Sequence, residues 1–228
     1  MKALLLSAGL GTRLQPFTNK LPKCLMPVKG KPLLEIWLDR LSEAGVNDFL
    51  INTHYLPEYV EKFIKNSKYC NQTTLVYEPK LLGTAGTLRA NLDFFNTEDS
   101  FLIHADNYCL EDHNKFIASH KRRPDKSIIT MMVFRTSDPS SCGIVEINSE
   151  GIVTGFHEKI NNPPGNLANG AVYILSSDFL RMLSHKFNYA KNFSTDILPS
   201  LIGKIYTYET KKTFIDIGTI TNYEMLNE

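Results

Sequence analysis

The residues best suited to chemistry lie at the start of the chain. The apolar run Ala3-Leu4-Leu5-Leu6 empties into Ser7-Ala8-Gly9-Leu10-Gly11-Thr12-Arg13, and Lys23 follows between Pro22 and Pro27. Glycines let backbone N–H groups approach a ligand closely, and such groups hold phosphate oxygens. A guanidinium two residues past a glycine can brace a phosphate bidentately. The prolines stiffen the segment that carries the Lys23 ammonium. Six basic residues (Lys2, Arg13, Lys20, Lys23, Lys29 and Lys31) precede the first acid, Glu35, in a chain of net charge +1. Positive charge is therefore concentrated here, and the pattern points to a polyphosphate ligand near residue 10. It is not a P-loop, because no Gly-Lys-Ser/Thr follows. Leu14 stands where a dinucleotide fingerprint needs its third glycine. Taken alone, Gly9-x-Gly11 fits a bare turn equally well, and Lys20, Lys29 and Lys31 read as solvated surface charge.

These groups need a scaffold. Residues 2–7 read as a buried strand. Pro32 suits a first helical turn, Leu33, Trp37, Leu41 and Ala44 recur at helical spacing, and Gly45 is a stop signal. Strands are predicted at 49–52, 74–77, 100–105 and 127–134, with helices at 57–64, 84–92 and 114–121. This alternation implies an α/β fold: a Rossmann-like, mostly parallel sheet flanked by helices. The second half reads differently. Strands at 143–147 and 152–158 are joined by the hairpin signal Asn148-Ser149-Glu150-Gly151. Further strands are predicted at 170–175, 204–208 and 214–217, with a short helix at 178–183. We read residues 1–228 as one domain, with a nucleotide-binding half at 1–135 and a smaller antiparallel, acceptor-binding half at 136–228.

Composition excludes several classes. The near-neutral balance argues against a nucleic-acid binder. Cys24, Cys70, Cys109 and Cys142 form no C-x-x-C pair, which suits reduced thiols in a cytoplasmic protein. The apolar start is too short for a signal-peptide core, and no run reaches membrane-spanning length. No membrane partner is expected. Apolar surface for a homodimer contact would lie in the second half.

The stretch Leu6 to Thr18 with Pro22-Lys23 resembles the signature of the sugar-1-phosphate nucleotidylyltransferases, G-x-G-T-R-L-x-P-x-T-x-x-x-P-K. Later segments resemble that family in the right order: Leu82-Gly83-Thr84-Ala85-Gly86, His104-Ala105-Asp106, Cys142-Gly143-Ile144-Val145, Phe156-His157-Glu158-Lys159, Asn169-Gly170-Ala171-Val172-Tyr173 and Phe214-Ile215-Asp216-Ile217-Gly218. The similarity covers almost the whole chain. It implies that a sugar 1-phosphate oxygen attacks the α-phosphorus of an NTP and that pyrophosphate leaves.

The resemblance also implies roles. Arg13, Lys23 and Asp106 would be catalytic, Arg13 on the β and γ phosphates and Lys23 near the attacking and α phosphates. Ala8, Gly9, Gly11, Thr12, Glu78, Gly83 and Thr84 would complete the nucleotide site. Gly143, Glu158, Lys159 and Asn169 would read the sugar phosphate. Asp106 and Asp216 would hold Mg²⁺, which takes one or two carboxylates together with phosphates and water. A transition-metal pair at His104-x-Asp106 is the rival reading, unsupported by a second ligand cluster. Thr84 would otherwise be a helix cap and Glu78 a surface carboxylate. No nucleophilic Ser or Cys is expected.

Among family branches, the chain is most similar to short mannose-1-phosphate or heptose-1-phosphate guanylyltransferases. Uridylyl transfer to an N-acetylated amino sugar 1-phosphate is the alternative, followed by thymidylyl and cytidylyl transfer. A non-catalytic nucleotide-sugar-binding regulatory subunit and an unrelated dinucleotide enzyme are rivals of other classes. Three positions depart from the family pattern: Ala105 for Gly, Ile160 for Pro after Glu158-Lys159, and Cys24 for Pro after Lys23. Larger members continue into a left-handed β-helix with acyl- or acetyltransferase function. This sequence ends soon after Asp216, so nucleotidyl transfer alone is expected.

Overall fold

Strand β1 (Ala3–Leu6) forms from the opening apolar run and buries Ala3, Leu4 and Leu5 completely, as suits a central parallel strand. The computed structural model describes residues 1–96 and 98–228. Two short strands, β2 (Pro27–Val28) and β3 (Lys31–Pro32), lead into helix α1 (Leu33–Glu43). Helix α1 buries Leu33, Leu34, Trp37, Leu38 and Leu41, one stripe at helical spacing. It ends where Gly45 takes φ +80°, a conformation that favours glycine. Strand β4 (Phe49–Thr53), helix α2 (Pro57–Lys65) and strand β5 (Thr73–Tyr77) follow.

Helices α3 (Thr84–Ala90) and α4 (Leu92–Phe95) replace the single predicted helix at 84–92. Asn91 separates them, its side-chain amide donating to the Thr87 carbonyl at 2.8 Å. Next come β6 (Ser100–His104), β7 (Asn107–Cys109), α5 (His113–Lys121) and β8 (Ile129–Arg135). The later elements are β9 (Gly143–Ile147), β10 (Val153–Glu158), β11 (Leu167–Leu175), α6 (Ser177–Lys186), β12 (Ile205–Glu209), β13 (Phe214–Asp216) and α7 (Ile220–Asn227). Strand β7 and helix α7 carry no predicted counterpart. Strand β7 has only three residues, and α7 buries only Tyr223 and Leu226.

The chain forms two compact units. The first comprises Met1–Leu81, Ile103–His113 and Lys212–Glu228; the second comprises Leu82–Leu102 and Asn114–Lys211. In the first unit β1 and β5 flank β4 in parallel, with Ala3 opposite Phe49 and Phe49 opposite Thr73. The Ala105 N–H donates to the Leu6 carbonyl at 3.1 Å, which sets the end of β6 beside β1. Strands β7 and β13 pair antiparallel, with Asn107 opposite Asp216.

The second unit is mostly antiparallel. Strand β11 pairs with β8 and β9, and β10 pairs with β9; β12 joins β8 in parallel. The hairpin predicted at Asn148–Gly151 is present: the Asn148 side chain accepts from the Glu150 and Ile152 N–H groups, and Gly151 has φ +75°.

Trp37, the only tryptophan, is 1% exposed and donates its indole N–H to the Asn107 carbonyl at 2.7 Å. That bond ties α1 to the strand that registers Asp216. Trp37→Phe leaves this carbonyl without its donor, and we expect a loss of about 1–3 kcal/mol in urea unfolding.

Candidate active site

The glycine loop folds into a rigid corner. Gly11 takes φ +65°, and a Cβ there would sit 2.9 Å from Thr18 Cγ2. Thr18 is buried, and its hydroxyl donates to the Gly11 carbonyl at 2.8 Å. The Tyr55 hydroxyl in turn donates to the Thr18 carbonyl at 3.0 Å. Leu14, fully buried, anchors the short helical turn Thr12–Leu14. Arg13 lies on that turn with its side chain 66% exposed. By contrast Lys23 is 8% exposed, on the turn Lys23–Leu25 that Pro22 opens.

Lys23 meets both predicted metal aspartates. Its Nζ donates to Asp106 Oδ2 at 2.7 Å and to Asp216 Oδ1 at 3.1 Å. Asp106 follows β6, and Asp216 ends β13 opposite Asn107, so the β7–β13 ladder brings the two carboxylates together. Ladder continuity is kept by the Ile217 N–H, which donates to the Asp106 carbonyl at 3.2 Å. The Gly218 N–H donates to Asp216 Oδ1 at 2.7 Å, and Asn222 Nδ2 donates to the Asp216 carbonyl at 2.8 Å. Arg13 Nη2 stands 4.0 Å from Asp216 Oδ2.

Electrostatics follow from these contacts. Burial disfavours the Lys23 ammonium, but the charges of Asp106 and Asp216 outweigh it and raise the Lys23 pKa. Burial also works against the Asp106 carboxylate. Lys23 and His104 overcome it and hold Asp106 below the usual carboxylate range. Both groups are thus charged at neutral pH. Burial pushes the Cys24 and Cys109 thiols up to about 12, so neither is a thiolate there.

Glu78 is 2% exposed and is not the surface carboxylate of the alternative reading. Asn52 Nδ2 donates to its Oε1 at 2.9 Å, and Asn52 Oδ1 accepts the Ser7 N–H at 2.8 Å. A buried relay therefore links Glu78 to the residue before Ala8. Ala8 is buried and Gly9 exposed, with open space where a Gly9 Cβ would project.

The second unit carries the remaining predicted residues. Gly83 has φ +78°, and a Cβ there would collide with the Lys191 carbonyl. Thr84 Oγ1 accepts the Phe193 N–H at 2.7 Å, so it latches the segment after α6 and does not cap its own helix. Gly143 lies opposite Glu158, and a Cβ there would be 2.7 Å from Glu158 Oε2. Asn169 sits where the β11–β8 register shifts. Its Nδ2 donates to the buried Tyr173 hydroxyl at 2.7 Å, and its Oδ1 accepts the Ala171 N–H. Burial raises the Tyr173 pKa, so the hydroxyl stays protonated. Lys159 is exposed at φ +51°, its Nζ 3.9 Å from Glu158 Oε1.

A family model described as nucleotidyl transferase matches residues 2–228. The chain belongs to the nucleotidyl transferase family. Curated relatives include a mannose-1-phosphate guanyltransferase of Schizosaccharomyces pombe, 29% identical over 98% of this chain and 62% of that protein. Another is mannose-1-phosphate guanyltransferase 2 of Candida glabrata, 27% identical over 96% of this chain and 61% of that protein. The chain thus spans about three fifths of the length of these relatives. A crystal structure of HddC from Yersinia pseudotuberculosis complexed with GMP-PN superposes with TM-score 0.81 at 26% identity, covering 99% of this chain and 97% of that one. A putative glucose-1-phosphate thymidylyltransferase from Bacillus anthracis has TM-score 0.86 at 21% identity, covering 100% and 94%, and shows the shared fold.

Sequence reasoning missed Thr18, Asn52, Tyr173 and Gly218. Thr18, Tyr173 and Gly218 each lie in a segment that resembles the family, whereas Asn52 left no such signal. Among the described residues, no group of three or more His, Cys, Asp or Glu side chains is placed to hold a metal ion. The chemistry of two neighbouring carboxylates, Asp106 and Asp216, would suit a hard divalent cation that takes its other ligands from phosphates and water.

Two outcomes are expected. The wild-type Asp106 carboxyl, followed by ¹³C NMR, should titrate below 3.8. In Lys23→Met it should titrate higher than in wild type, because the largest charge opposing burial is gone and only His104 and a backbone hydrogen bond remain against it. The stabilising effect of the pair is present above the ordinary carboxylate pKa and is lost as pH falls through the depressed one. The atoms nearest a Cβ on Gly218 would be the ends of the Asp216 and Arg13 side chains, at 2.9 and 3.0 Å. Gly218→Ala should therefore unfold in urea within about 1 kcal/mol of wild type. By moving charged groups it should cost about 100-fold in nucleotidyl transfer.

Proposed function

We propose that this protein transfers a nucleotidyl group from an NTP to a sugar 1-phosphate, releasing pyrophosphate. GTP is the favoured donor and a mannose- or heptose-like sugar 1-phosphate the favoured acceptor. The observation that carries the reading is the convergence of Lys23 on Asp106 and Asp216 beside Arg13, four charged groups from remote points of the chain. The relatives' names support the guanylyl assignment, as does the GMP-PN complex of HddC.

Both reactants are anions, so charge repulsion dominates the barrier and catalysis is mostly positioning and neutralisation. A sugar phosphate oxygen attacks the α-phosphorus, the bond to the β-phosphate oxygen breaks, and pyrophosphate carries away the electron pair. The exposed Arg13 braces the β and γ phosphates and then the pyrophosphate. Lys23 offsets charge on the α and attacking phosphates. The corner at Gly11 and Thr12 presents backbone N–H groups, and open space beside Gly9 with the adjacent Ala8 admits the nucleoside. Glu78, held by Asn52, orients this floor. Within the second unit, Gly83 and Thr84 are assigned to the nucleotide, Glu158 and Asn169 to sugar hydroxyls and Lys159 to phosphate, with Gly143 leaving room for Glu158. Asp106 and Asp216 would hold the divalent ion such enzymes generally use, here Mg²⁺, which supplies charge neutralisation on the phosphates.

We assign the nucleotide half to 1–135 and the sugar-phosphate half to 136–228. The compact units interleave with these halves, since Asp216 belongs to the first unit and Gly83 to the second. Among the described residues no helix is long and apolar enough to cross a membrane. A cytoplasmic location is part of the proposal, and a homodimer is compatible with it.

Pyrophosphate release measured across GTP, UTP, CTP, dTTP and ATP with several sugar 1-phosphates tests the reading. Turnover should be greatest with GTP and mannose or heptose 1-phosphate; no turnover with any pair would refute it. Lys23→Ala should lower kcat by about 10²–10³-fold, by analogy with loss of one oxyanion donor. A nucleotide-sugar sensor would have no kcat to lose.

A further inference from the structure

Lys23 does more than face a substrate phosphate. Its ammonium fills the space between the two carboxylates that would hold the metal, donating to one oxygen of each. The side chain is 9% exposed, and the turn beneath it is pinned by buried Cys24 and Leu25. The Gly218 N–H also donates to Asp216 Oδ1, the same oxygen that Lys23 contacts. Arg13 is at the edge of this group, 4.0 Å from the other Asp216 oxygen. Asp106 and Asp216, with side chains 36% and 46% exposed, repel each other across a site partly withdrawn from water, so the pair is unfavourable without a counter-charge. Lys23 removes that penalty in the ligand-free protein.

We propose that Lys23 is a tethered counter-cation that keeps the Asp106–Asp216 pair together and competes with the divalent ion for it. This inference rests on reading Asp106 and Asp216 as the metal ligands. The ammonium repels an incoming dication at close range, so affinity without nucleotide is low. When the ion takes the pair, Lys23 gives up its hydrogen bonds and becomes available to the anionic substrates. The lysine thus couples metal entry to phosphate binding: the phosphates draw Lys23 away from the carboxylates, and the vacated pair accepts the ion. Nucleotide and metal then bind with mutual enhancement, without any further site.

Mn²⁺ binding followed by electron paramagnetic resonance tests this on the nucleotide-free, full-length protein. Lys23→Met should bind Mn²⁺ at least about tenfold tighter than wild type, from removal of a repulsive charge at contact distance. Its Tm, lowered without metal, should be restored by Mn²⁺, and Asp216→Asn should abolish binding in either background. A measurement on the wild type avoids reliance on the variant's folding. In ¹⁵N-lysine spectra, the slowest-exchanging ammonium should shift and begin to exchange with water as Mg²⁺ is added. Lys23→Met binding Mn²⁺ no tighter than wild type, or an ammonium unmoved at saturating Mg²⁺, overturns the inference. If that happens while Asp216→Asn still loses Mn²⁺, the ligand reading stands. If neither wild type nor Lys23→Met binds Mn²⁺ even with GTP present, the ligand reading falls as well.

Discussion

One ammonium answering two carboxylates is the contact on which the rest of the first unit depends. Lys23, Asp106 and Asp216 come from a turn, a strand-to-strand corner and a strand end. Without one another each would be a costly charge in a partly dry site. Much of the local structure serves that contact. Pro22 opens the turn that aims Lys23 inward. The β7–β13 ladder sets Asp216 opposite Asn107, next to Asp106. Trp37 holds the Asn107 carbonyl from the α1 side. Gly218 leaves the Asp216 carboxylate and Arg13 room to approach.

The charged residues were legible because their chemistry leaves a local trace. A corner that needs φ +65° calls for glycine, and Gly11 is one. The apolar run Phe101-Leu102-Ile103 announces a buried strand whose end would present Asp106. Elements that rest on long-range pairing left less trace. Strands β7 and β13 have three residues each, too few to show a period, and pair only because distant parts of the chain meet. Asn52 reads as any polar residue at the end of an apolar strand, yet it links the Ser7 N–H to Glu78. One helix is expected over 84–92, but the Asn91 side chain competes for a backbone carbonyl where α3 gives way to α4.

In the second unit the same logic operates through shape. Gly143 leaves room for the Glu158 carboxylate, and the register shift in β11 sets Asn169 against the Tyr173 hydroxyl. Tyr173 packs on Phe193, whose N–H is held by Thr84. The Gly83–Thr84 turn and the Asn169 strand are therefore mechanically linked within this unit. Sequence reading assigned them separate roles, because the segment that joins them, Lys191 to Phe193, carries no motif of its own.

The proposed nucleotidyl transfer takes place where Lys23 meets Asp106 and Asp216. A crystal structure of the protein with a non-hydrolysable GTP analogue and Mn²⁺, read by anomalous scattering, tests it most directly. The account predicts a manganese peak against both carboxylates and Lys23 Nζ within hydrogen-bond distance of a phosphate oxygen. A nucleotide bound elsewhere, with Lys23 still closed on both aspartates and no manganese beside them, would contradict it.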